Sequence, residues 1–347
     1  MPTEQIYCSK KQGEDIYLFT LRNAFGTEVN ISNYGAIITS FKVKQKNGIT
    51  NNIVLGFDKV GDYFSPDYLN QYPYIGAACG RYANRIKNGH FIIDSVDYYV
   101  TKNNGNNQLH GGLEGFDKKV WQLVSGKSSF LELKYFSKDG EEGFPGNLET
   151  TICFELNDQN ELSYEFSAKT DKATAINLTH HSYFNLNNGN GTIEDHEIKI
   201  YSSNRLSQDE DLVCDGNIIP VEETPFDFRS YKSVNKDWNK KNGYDQCFVI
   251  DDKTDELSLV AETRSHQSGI TLQILSTEPA VQFYTGQGLP KIRGKQEIQY
   301  GPFSGLCLET HKHPNAINIP HFPNTILRPG ENYNQKNVYR VSAAEVK

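Results

Sequence analysis

The residue types best suited to moving protons are concentrated in two stretches of this sequence. One is Thr179-His180-His181-Ser182-Tyr183-Phe184-Asn185-Leu186; the other is Leu306-Cys307-Leu308-Glu309-Thr310-His311-Lys312-His313. A carboxylate (reference pKa about 4.3) and an imidazole (about 6.5) form a workable acid–base pair near neutral pH. If the second stretch is extended, Glu309, His311 and His313 share one face while Leu306 and Leu308 share the other. In an extended His180-His181 pair the two rings point to opposite faces. One of them at most faces a given pocket, and the other is exposed or hydrogen-bonded in a core. Glu309, His311 and His313 can be read as acid–base groups, as metal ligands or as a solvated edge, since histidines and a carboxylate suit zinc or iron. No HExxH or CxxC motif accompanies them, so no metal is expected.

Three further segments carry residues that hold polar ligands. His110 lies in Leu109-His110-Gly111-Gly112, where paired glycines let backbone approach a ligand or turn sharply. Arg85 follows Arg81 in Cys79-Gly80-Arg81-Tyr82-Ala83-Asn84-Arg85-Ile86, and Asp245 sits in Gly243-Tyr244-Asp245-Gln246-Cys247-Phe248. Each has an ordinary alternative: a loop histidine, solvated or ion-paired arginines, a turn aspartate. Neither GxGxxG nor GxxxxGK[ST] occurs, which argues against dinucleotides and nucleoside triphosphates.

The elements that must position these groups read as strands. Val29, Ile31 and Asn33 alternate before Tyr34-Gly35-Ala36, and Ile37, Thr39, Phe41 and Val43 alternate after it. Thr150, Ile152, Phe154 and Leu156 form one strand face, and Leu162, Tyr164, Phe166 and Ala168 another. The polar link Asn157-Asp158-Gln159-Asn160 between them is a hairpin turn. Further strands are expected at 198–201, 257–262, 270–275 and 281–284. Twenty Tyr and nineteen Phe suit pleated, half-buried surfaces. Helical signals are limited to a turn or two at 59–63 and at 65–69, and the Asn- and Gly-rich stretches 103–107 and 187–191 are loops. No repeat or linker divides the chain. The expectation is an all-β fold with few short helices, a large antiparallel β-sandwich spanning 1–347 as a single domain.

Composition narrows the partners. Net charge is −8, with lysine and arginine scattered and no dense basic tract, so neither nucleic acid nor a membrane surface is an expected partner. No apolar run approaches a membrane span, and the first residues contain no apolar signal region, so a cytoplasmic protein is expected. Cys8, Cys79, Cys153, Cys214, Cys247 and Cys307 are widely spaced, which predicts reduced, buried thiols rather than disulfides.

Taken in order, these segments resemble the aldose 1-epimerases (mutarotases). The similarity runs through Asn33-Tyr34-Gly35-Ala36, Val54-Leu55-Gly56-Phe57-Asp58, 80–86, 106–112, 179–186, 243–248, Gln282-Phe283-Tyr284-Thr285-Gly286 and Leu308-Glu309-Thr310. The resemblance implies a galactose mutarotase-like supersandwich, a monosaccharide as the binding partner, and no cofactor, because mutarotation removes neither an electron nor a group. It implies that Glu309 takes the proton of the anomeric hydroxyl and that His181, in register before Ser182-Tyr183-Phe184, protonates the ring oxygen. Asn84, Arg85, His110, Asp245 and Gln282 match groups that hold sugar hydroxyls or assist the ring oxygen. The sequence departs from many relatives at His180, where another polar residue is common, and at Gln246, where His is common. Rival readings are a sugar-phosphate epimerase using Arg81 and Arg85, a silent sugar-binding protein, and a glycosidase using Glu309 and Asp245. The protein is expected as a monomer or homodimer acting on galactose or glucose.

Overall fold

The link 157–160 closes a hairpin between Leu148–Leu156 and Glu161–Thr170. Asn160 takes the positive φ of 59° that a tight turn requires, and the Asn157 N–H donates to the Glu161 carbonyl at 3.0 Å. The computed structural model describes residues 3–44, 48–238, 242–251 and 256–343. Along both hairpin strands every second side chain is buried, including Ile152, Phe154, Tyr164 and Phe166 at 0% exposure, as period-two patterning requires.

This hairpin lies in a nine-stranded antiparallel sheet. Its spatial order is Gln122–Lys127, Phe130–Ser137, Leu148–Leu156, Glu161–Thr170, Tyr333–Ala343, Ile270–Ser276, Ser258–Ser265, His196–Ile200 and Lys232–Ser233. A five-stranded sheet collects the N-terminal strands Glu4–Lys11, Glu14–Arg22, Glu28–Ser32, Ile38–Lys44 and Thr50–Asn52. A second five-stranded sheet orders Cys214–Pro220, Asn204–Gln208, Asp245–Val249, Ala280–Tyr284 and Cys307–His311. Side chains from all three meet in one hydrophobic cluster, among them Phe41, Phe154, Tyr339, Phe248, Phe283 and Leu308. Fully burying one such phenyl ring is worth roughly 1.5–3 kcal/mol. The result is the expected antiparallel sandwich.

Several boundaries move. The strand expected at 198–201 is His196–Ile200, and the one expected at 257–262 extends as Ser258–Ser265. The short helices fall close to where they were expected: a 3₁₀ turn at Val60–Phe64 and an α-turn at Pro66–Leu69. Ser65 caps the latter, its Oγ accepting the Tyr68 N–H at 3.4 Å, with Pro66 at the first helical position. These turns place Tyr63 and Tyr68 in an edge-to-face chain of rings with Tyr72 and Tyr74, which brings aromatic side chains to the pocket described below. No helix among the described residues is long and apolar enough to cross a membrane. The described cysteines are all unpaired; four are buried, while Cys8 and Cys153 are half-buried.

Candidate active site

Three neighbouring strands of the second five-stranded sheet build the floor of a pocket. Gln282 lies opposite Glu309 across one ladder, and Asp245 lies opposite Tyr284 across the next. Strand alternation then decides what faces where. Asp245, Gln282, Tyr284 and Glu309 line a cavity of about 190 Å³, whereas Phe248, Val281, Phe283 and Leu308 face the hydrophobic cluster. The short ladder of Thr179–His180 with Ala78–Cys79 brings in His181, and the ladder of Gln108–Leu109 with Arg85–Ile86 brings in Arg85 beside His110. Asn84 completes the set, so all seven residues singled out from the sequence line one cavity.

The two histidines of the pair separate as alternation demands. His181 faces the cavity, its Nε2 3.6 Å from Glu309 Oε1 and its Nδ1 3.5 Å from Cys307 Sγ. His180 points into the core, with Nδ1 3.1 Å from Ser182 Oγ, Nε2 3.2 Å from the Ala36 carbonyl, and its ring against Phe154 and Tyr164. The shared face predicted for Glu309, His311 and His313 is only partly realised. The strand ends at His311, and neither His311 nor His313 lines the cavity. His311 Nδ1 contacts the Lys312 carbonyl, and His313 packs its ring on Phe322.

A hydrogen-bonded chain fixes the remaining groups. Asn84 Nδ2 donates to Gln282 Oε1 at 3.3 Å, and Gln282 Nε2 donates to Asp245 Oδ1 at 2.5 Å. Arg85 Nε donates to Asn104 Oδ1 at 3.1 Å, so the Asn-rich loop anchors the guanidinium. The Asn84 backbone N–H donates to His110 Nδ1 at 3.2 Å, which leaves the proton of the neutral ring on Nε2. Gly111 allows the turn after His110: it takes a φ of 96°, and a Cβ there would overlap the Gly80 carbonyl.

Burial dominates the electrostatics. Glu309 is 2% exposed; burial, reinforced by the neighbouring Asp245 charge, pushes its carboxyl well above the usual range, with Arg85 opposing. Its Oε2 has no hydrogen-bond partner. Burial raises Asp245 as well, while Arg85 and Gln282 pull it back. His181 is pushed down to about 3 by burial, and His110 falls well below 6.5 through burial and the nearby His181. The 3.6 Å approach of His181 to Glu309 works against these shifts, because it favours imidazolium beside carboxylate. Burial thus favours a neutral imidazole beside a protonated carboxyl.

Two features noted in the sequence lie outside this site. The Arg81 guanidinium is buried and donates to the carbonyls of Ser137, Lys138, Pro145 and Gly146, so it braces loops rather than facing the cavity. Gln246 points to the other side of its strand, accepting from Arg205 Nη1 at 2.9 Å. The aromatic walls were missed. Tyr74 stacks near-parallel on His181, with ring centroids 5.9 Å apart and 28° between planes, and Tyr183 lies 5.0 Å from the same ring. Tyr183 and Tyr284 stand two residues beyond His181 and Gln282, so parity could have found them; nothing in the local sequence marks Tyr74. His110, His181 and Glu309 each present a ligand-type atom, all within 4.8 Å of one another, and could hold a metal ion.

The aldose 1-epimerase family model matches residues 17–340. The chain belongs to the aldose 1-epimerase family. It is 40% identical to the galactose mutarotase of Sus scrofa over 320 residues, covering 91% of each chain. It is 34% identical to the aldose 1-epimerase of Escherichia coli (strain K12) over 340 residues, covering 95% of this chain and 96% of that one. Among solved structures, an aldose epimerase homologue from C. elegans superposes with a TM-score of 0.87 at 30% identity, covering 94% of this chain and 99% of that one. A galactose 1-epimerase from Lactobacillus acidophilus NCFM gives 0.85 at 26% identity, covering 99% of both.

Proposed function

We propose that this aldose 1-epimerase family member interconverts the α and β anomers of a free aldohexose, with galactose or glucose as substrate, by ring opening and reclosure. The observation that carries the proposal is the 3.6 Å between His181 Nε2 and Glu309 Oε1. The anomeric hydroxyl oxygen and the ring oxygen of a pyranose share one carbon. The group that deprotonates one and the group that protonates the other must therefore be near neighbours on one side of the pocket.

In this reading the proton shared by the pair sits on His181 in the productive state. Glu309 accepts the hydroxyl proton, the O–H electron pair becomes the carbonyl π bond, and the bond from C1 to the ring oxygen breaks. The ring oxygen takes its proton from His181 Nε2. Rotation about C1–C2 turns the carbonyl over, and the same transfers run backwards on its other face. Protons balance and no electron leaves the sugar. A buried carboxyl whose affinity for protons is raised toward the working pH suits this exchange. His110 stays neutral and donates through Nε2; Arg85 donates and Asp245 accepts at the sugar hydroxyls, while Asn84 and Gln282 hold Asp245 in place and contribute their remaining amide positions. Tyr74 supplies a flat wall of the kind that packs against a sugar ring.

A sugar-phosphate epimerase is less well supported, because Arg81 is occupied elsewhere and Arg85 alone faces the cavity. Polarimetry on freshly dissolved α-D-galactose, α-D-glucose and α-D-glucose 6-phosphate tests the assignment. A free hexose is expected to reach anomeric equilibrium faster than in buffer. Enzyme that never exceeds the spontaneous rate on any of the three would sink it.

A further inference from the structure

His181 has a second ring nitrogen that the proposed reaction does not use. Its Nε2 faces Glu309 Oε1 at 3.6 Å, while its Nδ1 lies 3.5 Å from Cys307 Sγ. Cys307 shares the parity of Glu309 on the strand Cys307–His311, so both side chains leave the sheet on one side, Cys307 opposite Tyr284 in the ladder. It stops short of the sugar. The residue is 0% exposed, does not line the cavity, and belongs to an apolar cluster with Leu55, Tyr183 and Leu289. Burial, with the Glu309 charge adding to it, pushes the thiol well above its usual range, so it stays a neutral S–H.

The imidazole rests against Tyr74 and Tyr183, with 28° and 34° between ring planes. Aromatic neighbours hold the plane of the ring but are indifferent to a half-turn about its Cβ–Cγ bond. That half-turn exchanges Nδ1 with Cδ2 and Nε2 with Cε1, and would set a carbon toward Glu309 in place of the reacting nitrogen. The sulfur distinguishes the two orientations, because a ring nitrogen hydrogen-bonds to it and Cδ2 does not. It also distinguishes the two protonation sites. In the mechanism proposed above, Nε2 releases its proton to the ring oxygen and later recovers it. The neutral imidazole left in between carries its proton on Nδ1, and which nitrogen keeps the proton is set by the partner the ring finds there. Cys307 Sγ stands at that position.

We propose that Cys307 is a positioning residue whose sulfur accepts from His181 Nδ1–H, keeping Nε2 turned toward Glu309 and free to give and take the proton of ring opening. The inference rests on the mutarotase reading and deepens it. Cys307 touches no reacting atom, and no bond to its sulfur is made or broken.

Two measurements on the full chain test this. Long-range proton–nitrogen correlation spectra of wild-type protein labelled at histidine report which ring nitrogen of His181 carries the proton, the signals being assigned by their loss in His181→Asn. Nδ1–H is expected, and a neutral ring protonated mainly on Nε2 would overturn the proposal. This arm needs neither turnover nor a change at Cys307. The second arm is kcat and KM of Cys307→Ala, Cys307→Val and Cys307→Ser by polarimetry. Losing one neutral hydrogen bond should lower kcat about threefold to tenfold in the alanine and valine variants, with KM held within about twofold. Serine restores an acceptor and should recover most of that loss. A role in packing alone predicts the reverse ranking, since valine fills an apolar slot and serine does not. A valine variant at least as active as the serine variant would therefore overturn the proposal, as would a loss confined to KM. Wild-type protein that never exceeds the spontaneous rate would instead defeat the mutarotase reading, and the spectrum would still decide whether the sulfur accepts from Nδ1.

Discussion

Glu309→Gln should slow the enzyme and stabilise it at the same time. The amide has nearly the shape of the carboxyl but cannot accept the anomeric proton. Loss of a positioned base costs roughly 10²–10⁴ in rate, or about 3–5 kcal/mol of barrier. Stability moves the other way for reasons visible in the site. Glu309 is 2% exposed, its Oε2 is unpartnered, and Asp245 stands nearby, so ionising it inside the folded protein is costly. The folded carboxyl holds its proton to higher pH than the unfolded one. Below the ordinary carboxylate range both states are protonated and the substitution should be nearly silent. As pH rises from there, the unfolded chain releases its proton first, and the wild type loses stability until the folded pKa is passed; the glutamine variant does not. Relief of an unpaired buried group is worth roughly 1–3 kcal/mol. With an unfolding entropy of about 2.1 cal/mol/K per residue over 347 residues, the gain is about 1–4 °C in Tm. The measurements are background-corrected polarimetry and thermal unfolding, both in acid and in mildly alkaline buffer. A variant that keeps its rate within about tenfold of wild type would refute the role of Glu309 as base. A variant that is less stable in alkaline buffer would refute the electrostatic reasoning.

The pH profile of kcat/KM should be governed by the His181–Glu309 pair, which works while it holds one proton. The acid limb is expected near 3, where His181 gains a second proton, and the alkaline limb where Glu309 loses the last one, above the usual carboxylate range; a rate that keeps climbing in alkaline buffer contradicts this. Asp117 is fully buried, and burial raises it to about 7, with Lys118 and the Tyr72 hydroxyl opposing. Asp117→Asn should therefore raise Tm by about 1–4 °C above that pH and leave it unchanged in acid, as read by unfolding scans across pH. Added zinc should inhibit by occupying His110, His181 and Glu309 in competition with the sugar, and a chelator should restore the original rate; inhibition insensitive to sugar concentration would argue for binding elsewhere.

What could be read in advance followed the range of the physical signal. The Leu148–Thr170 hairpin was legible because its alternation persists for many residues and its turn is rich in asparagine. Parity placed Glu309 opposite to Leu308, and showed that only one of His180 and His181 could face a pocket. It did not reveal that the strand stops at His311, since tertiary contacts set that boundary. Asp245, Gln282 and Glu309 share a floor because their strands are successive neighbours in one sheet, an order no local pattern contains. Arg85, His110 and His181 arrive on or beside ladders two residues long, too short for any periodicity. Residue type marked them as candidates, but their assignment to one site came from the family resemblance. Arg81, expected to be solvated or ion-paired and weighed as a phosphate ligand only in a rival reading, is instead buried and satisfied by carbonyls, which looks in sequence like a solvated guanidinium.

The alternation across those three strands also bears on how activity would return after unfolding. A slip of one residue in the ladder between Ala280–Tyr284 and Cys307–His311 would turn Glu309 into the hydrophobic cluster and aim Leu308 at the sugar. A chain misaligned in this way has neither a dry interior nor the proposed base. Partly active misregistered forms should be absent, and recovered mutarotation should rise in proportion to the fraction of molecules whose interior has locked. Under the proposed mechanism, catalysis is thus a built-in reporter of correct strand alignment, requiring no dye or label.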